Sequence, residues 1–155
     1  MRIAIPGRRT YDIEHLVLDL NGTIGLDGEL LEGVAERLAR LADSVQVTLI
    51  TADTHGGAKN VGDDLGVETV ILQEGNQAEQ KADFIRRLGP SACVAIGNGA
   101  NDVLMLEECA IGVCVVGREG AAAAALLAAN VVTTDICDAL DLLLKPERLV
   151  ATLRT

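Results

Sequence analysis

The chain has 155 residues, 49% of them apolar, with two aromatic side chains (Tyr11 and Phe84) and a formal net charge of -10. That length suits one domain, and 1–155 reads as a single unit around an aliphatic core. The acidic balance excludes a general nucleic-acid or anionic-membrane surface, because phosphate backbones require clustered Lys and Arg.

Taken in order, Met1–Ile5 and Tyr11–Ile13 flank the turn Pro6-Gly7-Arg8-Arg9 and predict a small N-terminal hairpin within residues 1–14. The run Leu16-Val17-Leu18-Asp19 reads as a buried strand ended by Asn21-Gly22-Thr23, which sets a carboxylate at its C-terminal tip. Asp27-Gly28 between apolar residues signals a second hairpin turn over 25–30. From Leu31 the stripe Leu31, Val34, Leu38 and Leu41 has helical spacing. Val45–Ile50 is strand, ending at Thr51, and a Gly-weakened helix is expected from about Thr54 to Leu65. Val67–Leu72 is strand, and Asn76–Leu88 is a helix with Ala78, Ala82, Ile85 and Leu88 as its stripe.

Ala92–Ile96 is again strand and runs straight into Gly97-Asn98-Gly99-Ala100-Asn101-Asp102. Helix over 103–109, strand over 111–116, an Ala-rich helix over 121–129, strand over 131–133 and a helical tail over 138–153, broken near Pro146, complete the chain. The strands are apolar on both faces and alternate with helices, as in a doubly wound α/β fold with a parallel sheet. Cys93, Cys109, Cys114 and Cys137 show no paired spacing and read as reduced, structural thiols. Without a signal-like leader or an apolar run of spanning length, a cytoplasmic protein with no membrane partner is expected.

Asp19, Thr51 and the loop from Asn98 to Asp102 each follow a strand, so a parallel sheet brings them to one edge. Lys81 lies near the start of a helix beside them, with Lys59 as the alternative lysine. A carboxylate, a hydroxyl, a Gly-rich loop and a lysine suit phosphoryl transfer, although each motif alone also fits an ordinary turn or cap.

In their order, Asp19-Leu20-Asn21-Gly22-Thr23, Thr51, Lys81 and Gly97-Asn98-Gly99-Ala100-Asn101-Asp102 resemble the motifs of haloacid-dehalogenase-superfamily phosphatases and of the phosphorylation domain of P-type ATPases. Nearest in character is the group of soluble P-type-ATPase-like proteins. The resemblance implies a Rossmann-like core without a cap domain and catalysis with Mg²⁺. It implies that Asp19 is the nucleophile and a metal ligand, that the Asn21 carbonyl is a second ligand, and that Asp102 holds the metal directly or through water. Gly22, Thr23, Thr51 and Ala52 would bind the phosphate, with Lys81 pairing both Asp19 and the phosphate.

Two positions depart from the pattern. Asn21 stands where the superfamily's phosphatases carry an acid, and general acid–base help is worth about 10²–10⁴ in rate. Ordinary phosphomonoesters should therefore be poor substrates. Asn98 replaces an acid that holds the metal; its amide oxygen can still ligate, but a charge lost at ~4 Å forfeits on the order of 4 kcal/mol at an effective dielectric near 20.

The substrate implied is a phosphorylated small molecule or macromolecule. With no room for a cap, either another copy of this chain covers the open site or the substrate is itself large. The 25–30 loop is the local candidate for a lid, and His55 is either a pocket residue or simply exposed. The alternative to an enzyme is a non-catalytic phosphate- or partner-binding module on the same fold.

Overall fold

The computed structural model describes residues 1–53 and 57–155. Strands β1 (Arg2–Ala4) and β2 (Thr10–Asp12) pair antiparallel as the expected N-terminal hairpin and form a separate two-stranded sheet. The main sheet holds β3 (His15–Asp19), β6 (Gln46–Thr51), β7 (Glu68–Ile71), β8 (Cys93–Gly97), β9 (Ile111–Val115) and β10 (Val131–Thr133). A third, two-stranded ladder, β4 (Gly25–Leu26) with β5 (Glu29–Leu30), is the hairpin signalled by Asp27-Gly28. Its turn holds both residues at positive φ, as a tight hairpin requires.

Across the main sheet the order is β10-β9-β8-β3-β6-β7, every pairing parallel. The chain thus builds outward from β3 through β6 and β7, then crosses back to lay β8, β9 and β10 on its other side. β3 lies at the point where the winding reverses, and the crevice beyond its C-terminal end is where such sheets bind ligands.

Successive strand residues point to opposite faces. Leu16 and Leu18 join a core with Leu49, Val94 and Ile96 that α1 (Val34–Ala42), α2 (Ala58–Leu65), α6 (Ile136–Leu144) and α7 (Pro146–Leu153) cover. Val17 faces the other way, into a core with Ile50, Cys93, Ala95 and Cys114 under α3 (Gln77–Leu88), α4 (Val103–Glu108) and α5 (Ala123–Ala128). Asp19, two residues beyond Val17, falls on the α3 side.

The elements sit close to their expected places, with three differences. α1 starts at Val34 because Gly33, at φ +79°, breaks the chain direction after Leu31. The helix expected from Thr54 is described from Ala58 onward, and His55 lies outside the described residues. On α3 the buried face includes Lys81 and Phe84 beside Ala82 and Ile85, whereas Ala78 and Leu88 are only half-buried. All four cysteines are free thiols, and burial pushes Cys93 up to about 11 and Cys109 up to about 12, so both stay protonated. No helix among the described residues is long and apolar enough to cross a membrane.

One ion cluster ties the back of the molecule together. Asp141 on α6 accepts from Arg37 Nε at 2.9 Å and Lys145 Nζ at 3.1 Å, with Arg148 at 3.6 Å. Burial alone would raise its carboxyl, but the hydrogen bonds from Lys145 and Arg37 outweigh that and hold it below its ordinary value. A depressed carboxyl stabilises the fold above its unfolded pKa and stops doing so as pH falls through the folded one. Asp141→Asn should therefore cost about 1–3 kcal/mol at neutral pH, measured by urea unfolding, and the gap from wild type should close only below the ordinary carboxylate range.

Candidate active site

At the tip of β3, Asp19 is 6% exposed and its carboxylate receives two polar contacts. Lys81 Nζ donates to its Oδ1 at 2.6 Å and Thr23 Oγ1 lies 3.2 Å from its Oδ2. The same ammonium donates to Asp102 Oδ1 at 2.6 Å, and Lys81 and Asp102 are both wholly buried. The other Asp102 oxygen accepts from the backbone N–H groups of Asn98 (2.9 Å) and Gly99 (2.8 Å), closing the loop after β8 around it. Gly97 is needed here because a Cβ would stand 2.5 Å from the Asp102 carboxyl carbon.

A buried lysine is disfavoured as a cation unless it is paired. Burial lowers the Lys81 pKa, but Asp19 and then Asp102 more than reverse this, so the ammonium stays charged. Burial is also the largest influence on Asp19. It acts with the nearby Asp102 charge against Lys81 and Thr23, and the net effect raises the carboxyl to about 6. One cation between two carboxylates leaves an excess negative charge at the β3 tip.

In front of Asp19 is a cavity of about 220 Å³ lined by Asn21, Thr51, Ala52, Asn98, Gly99, Asn101, Gln77 and Glu119. The sheet edge thus gathers Asp19, Asn21, Thr51, Ala52 and Asn98 around one space. Lys81 and Asp102 are sealed behind Asp19 and do not reach the cavity surface. Thr51 Oγ1 accepts from Asp53 N at 3.1 Å, which leaves its proton free to point outward. Thr23 is turned inward, its hydroxyl shared between Asp19 and Asn98 Oδ1 (3.1 Å). Lys59 is exposed on α2 and takes no part.

Two lining residues were not candidates on sequence grounds. Gln77, at the first turn of α3, accepts from Asn101 Nδ2 at 3.1 Å and forms an amide rim. Glu119 comes from the turn Gly117-Arg118-Glu119-Gly120, where a lone acid between glycines has no signal that separates it from solvent-facing turn residues. The 25–30 hairpin stands beside the site, lining a larger adjoining cavity of about 590 Å³ with Gly22, Thr23 and Arg118.

The donor set is uniformly hard oxygen: the Asp19 carboxylate, the Asn21 carbonyl and the Asn98 amide. Among the described residues no three His, Cys, Asp or Glu side chains are grouped closely enough to hold a metal by themselves. This set fits Mg²⁺, which takes one or two carboxylates and keeps several waters, and it does not fit a thiolate- or imidazole-seeking metal.

The doubly wound sheet thus sets a lysine-held aspartate at its reversal point. Residues 2–109 match the family model for haloacid dehalogenase-like hydrolases, and the chain belongs to that family.

Among its relatives, an uncharacterised protein of Methanocaldococcus jannaschii is 52% identical over 61 residues, which is 39% of this chain and 66% of that one. A phospholipid-transporting ATPase of Schizosaccharomyces pombe is 52% identical over 48 residues, 29% of this chain and 3% of the ATPase. The 3-deoxy-D-manno-octulosonate 8-phosphate phosphatase of Moraxella catarrhalis, solved with magnesium, phosphate and sugar, shares the fold at TM-score 0.70 and 17% identity, covering 93% of this chain and 95% of that one. An apo phosphoserine phosphatase does so at TM-score 0.67 and 12% identity, covering 83% and 98%.

Removing the lysine leaves two uncompensated buried carboxylates. Lys81→Met should destabilise the protein by about 3–5 kcal/mol at neutral pH, and lowering the pH enough to protonate Asp19, which burial already raises to about 6, should recover part of the loss. Chemical denaturation at two pH values checks both.

Proposed function

We propose that the chain is a Mg²⁺-dependent phosphohydrolase or phosphotransferase that works through a phosphorylated Asp19. One observation carries the reading: Lys81 is buried between Asp19 and Asp102 and presents the Asp19 carboxylate to an open cavity. A fold gains little stability from such a buried charged triad, which a well-packed apolar group would match or exceed.

In the first step an Asp19 oxygen attacks phosphorus, forming an acyl phosphate while the bond to the leaving group breaks and its oxygen keeps the electron pair. The Thr51 hydroxyl and the Ala52 amide, which line the cavity, hold the equatorial oxygens; the expected amides of Gly22 and Thr23 instead donate to the carbonyls of Gly25 (2.8 Å) and Leu20 (3.3 Å), which closes the loop after β3 on itself. Lys81 neutralises charge at Asp19, and Asp102 acts by fixing Lys81, since both of its own oxygens are already engaged. Magnesium held by Asp19, the Asn21 carbonyl and the Asn98 amide would offset the negative charge of the phosphoryl group. Water then attacks phosphorus, returning the carboxylate and inorganic phosphate.

Asn21 can neither protonate a leaving group nor take a proton from water. Good leaving groups are therefore favoured and the acyl phosphate is long-lived, which suits an acyl or anhydride phosphate donor better than an ordinary ester. The open cavity is closed by a second copy of the chain or filled by a large phosphorylated substrate. A non-catalytic phosphate-binding module is the second reading, favoured by the two amides Asn21 and Asn98.

Intact-protein mass after incubation with Mg²⁺ and acetyl phosphate decides between them. One phosphoryl group on the wild type, absent from Asp19→Ala, supports the enzyme; no adduct and no released phosphate would leave the binding module. In a parallel assay, Asn21→Asp should raise hydrolysis of a phosphate monoester by tens-fold or more.

A further inference from the structure

We propose that Glu119 supplies the metal-binding carboxylate that Asn98 lacks, so that the acid has moved from the loop after β8 to the turn after β9. The inference rests on the Mg²⁺ site proposed above and assigns it a further ligand, direct or through one water.

Three observations converge on it. The tips of Glu119 and Asn98 meet over the same glycine: a Cβ on Gly22 would lie 2.6 Å from Glu119 Oε2, 2.7 Å from Asn98 Nδ2 and 3.1 Å from Asn98 Oδ1. Gly22, at φ +78°, is the residue directly after the Asn21 carbonyl. Glu119 also lines the cavity in front of Asp19, and among the described residues it forms no ion pair that would hold it elsewhere.

The third observation explains why position 98 is an amide. Asn98 Nδ2 donates to the carbonyl of Gly120 at 3.2 Å, and the Asn98 carbonyl accepts from Ala122 N at 2.8 Å. The amide thus clamps the very turn that carries Glu119. Gly120 N in turn donates to Gly117 O at 2.9 Å, and a Cβ on Gly117 would stand 3.2 Å from the Gly22 carbonyl, so the turn is seated on the Asp19 loop.

An aspartate at 98 could not donate that hydrogen bond and would set a like charge beside Glu119. Asn98 and Glu119 are therefore a matched pair: one orients the turn, the other brings the charge. The pair also restores a second carboxylate to the cavity, the number Mg²⁺ sites commonly use.

The test is Mn²⁺ binding to the full chain, read by titration calorimetry and by the paramagnetic signal of free Mn²⁺, with no turnover involved. Glu119→Gln should weaken binding about tenfold or more and leave the metal-free melting temperature unchanged, because Glu119 is an exposed turn residue. Adding Asn98→Asp to Glu119→Gln should return the affinity to within a few-fold of wild type, while Asn98→Asp alone should gain far less.

Equal Mn²⁺ affinity in Glu119→Gln and wild type would overturn the assignment, as it would if Glu119 were instead a proton acceptor standing in for Asn21. A wild type that binds no Mn²⁺ at millimolar concentration would overturn it too. Failure of the phosphoryl-transfer reading looks different: Glu119-dependent Mn²⁺ binding would persist while the wild type takes no phosphoryl group.

Discussion

The ammonium of Lys81, 2.6 Å from Asp19 on one side and from Asp102 on the other, is the contact on which the site depends. It joins the central strand β3, the helix α3 and the loop after β8 in one charged triad. Burial works against the charge of Lys81 and of Asp19, and it is the pairing that holds the ammonium charged. Together they hold the carboxylate of Asp19 at the cavity floor, and the loop amides of Asn98 and Gly99 fix Asp102 in turn. The charges are thereby preorganised, fixed in place before any ligand enters the cavity.

The two amides at Asn21 and Asn98 have separate physical meanings. Asn21 lines the cavity with an amide that can neither give nor take a proton, which under the proposed reaction favours donors whose leaving group needs none. Asn98 is built into the architecture: its side chain accepts from Thr23 and donates to Gly120, so it links the Asp19 loop to the turn after β9. A decayed metal ligand has no reason to hold both partners.

Much of this was legible before any coordinates. Apolar and β-prone runs marked β3, β6, β8 and β9 to within a residue or so, and a parallel sheet made it necessary that Asp19, Thr51 and Asn98 share an edge. The α3 stripe was harder, because a lysine between alanines reads as solvated unless its partners are known, and those lie 62 and 21 residues away. Asp102 was recognised as part of the site, but its enclosure by Lys81 and two backbone amides is a three-dimensional fact that its spacing does not carry. Glu119 was invisible for the opposite reason. Its turn has every local feature of an ordinary surface loop, and only the seating of that turn on Gly22 brings it to the cavity.

The sheet order has a consequence for how the reactive group comes into being. β3 is made early but lies mid-sheet, flanked by β6 on one side and by β8, from much later in the chain, on the other. Long-range pairings of this sort form late, because closing their loops must precede the contacts that reward it. Until β8 has docked and Lys81 has been swallowed by the α3 face, Asp19 is a carboxylate at the end of a strand paired on one side only. The enclosed triad of Asp19, Lys81 and Asp102 is thus a property of the finished molecule alone, and a nascent chain carrying the whole Asp19-to-Thr23 motif would not yet hold it.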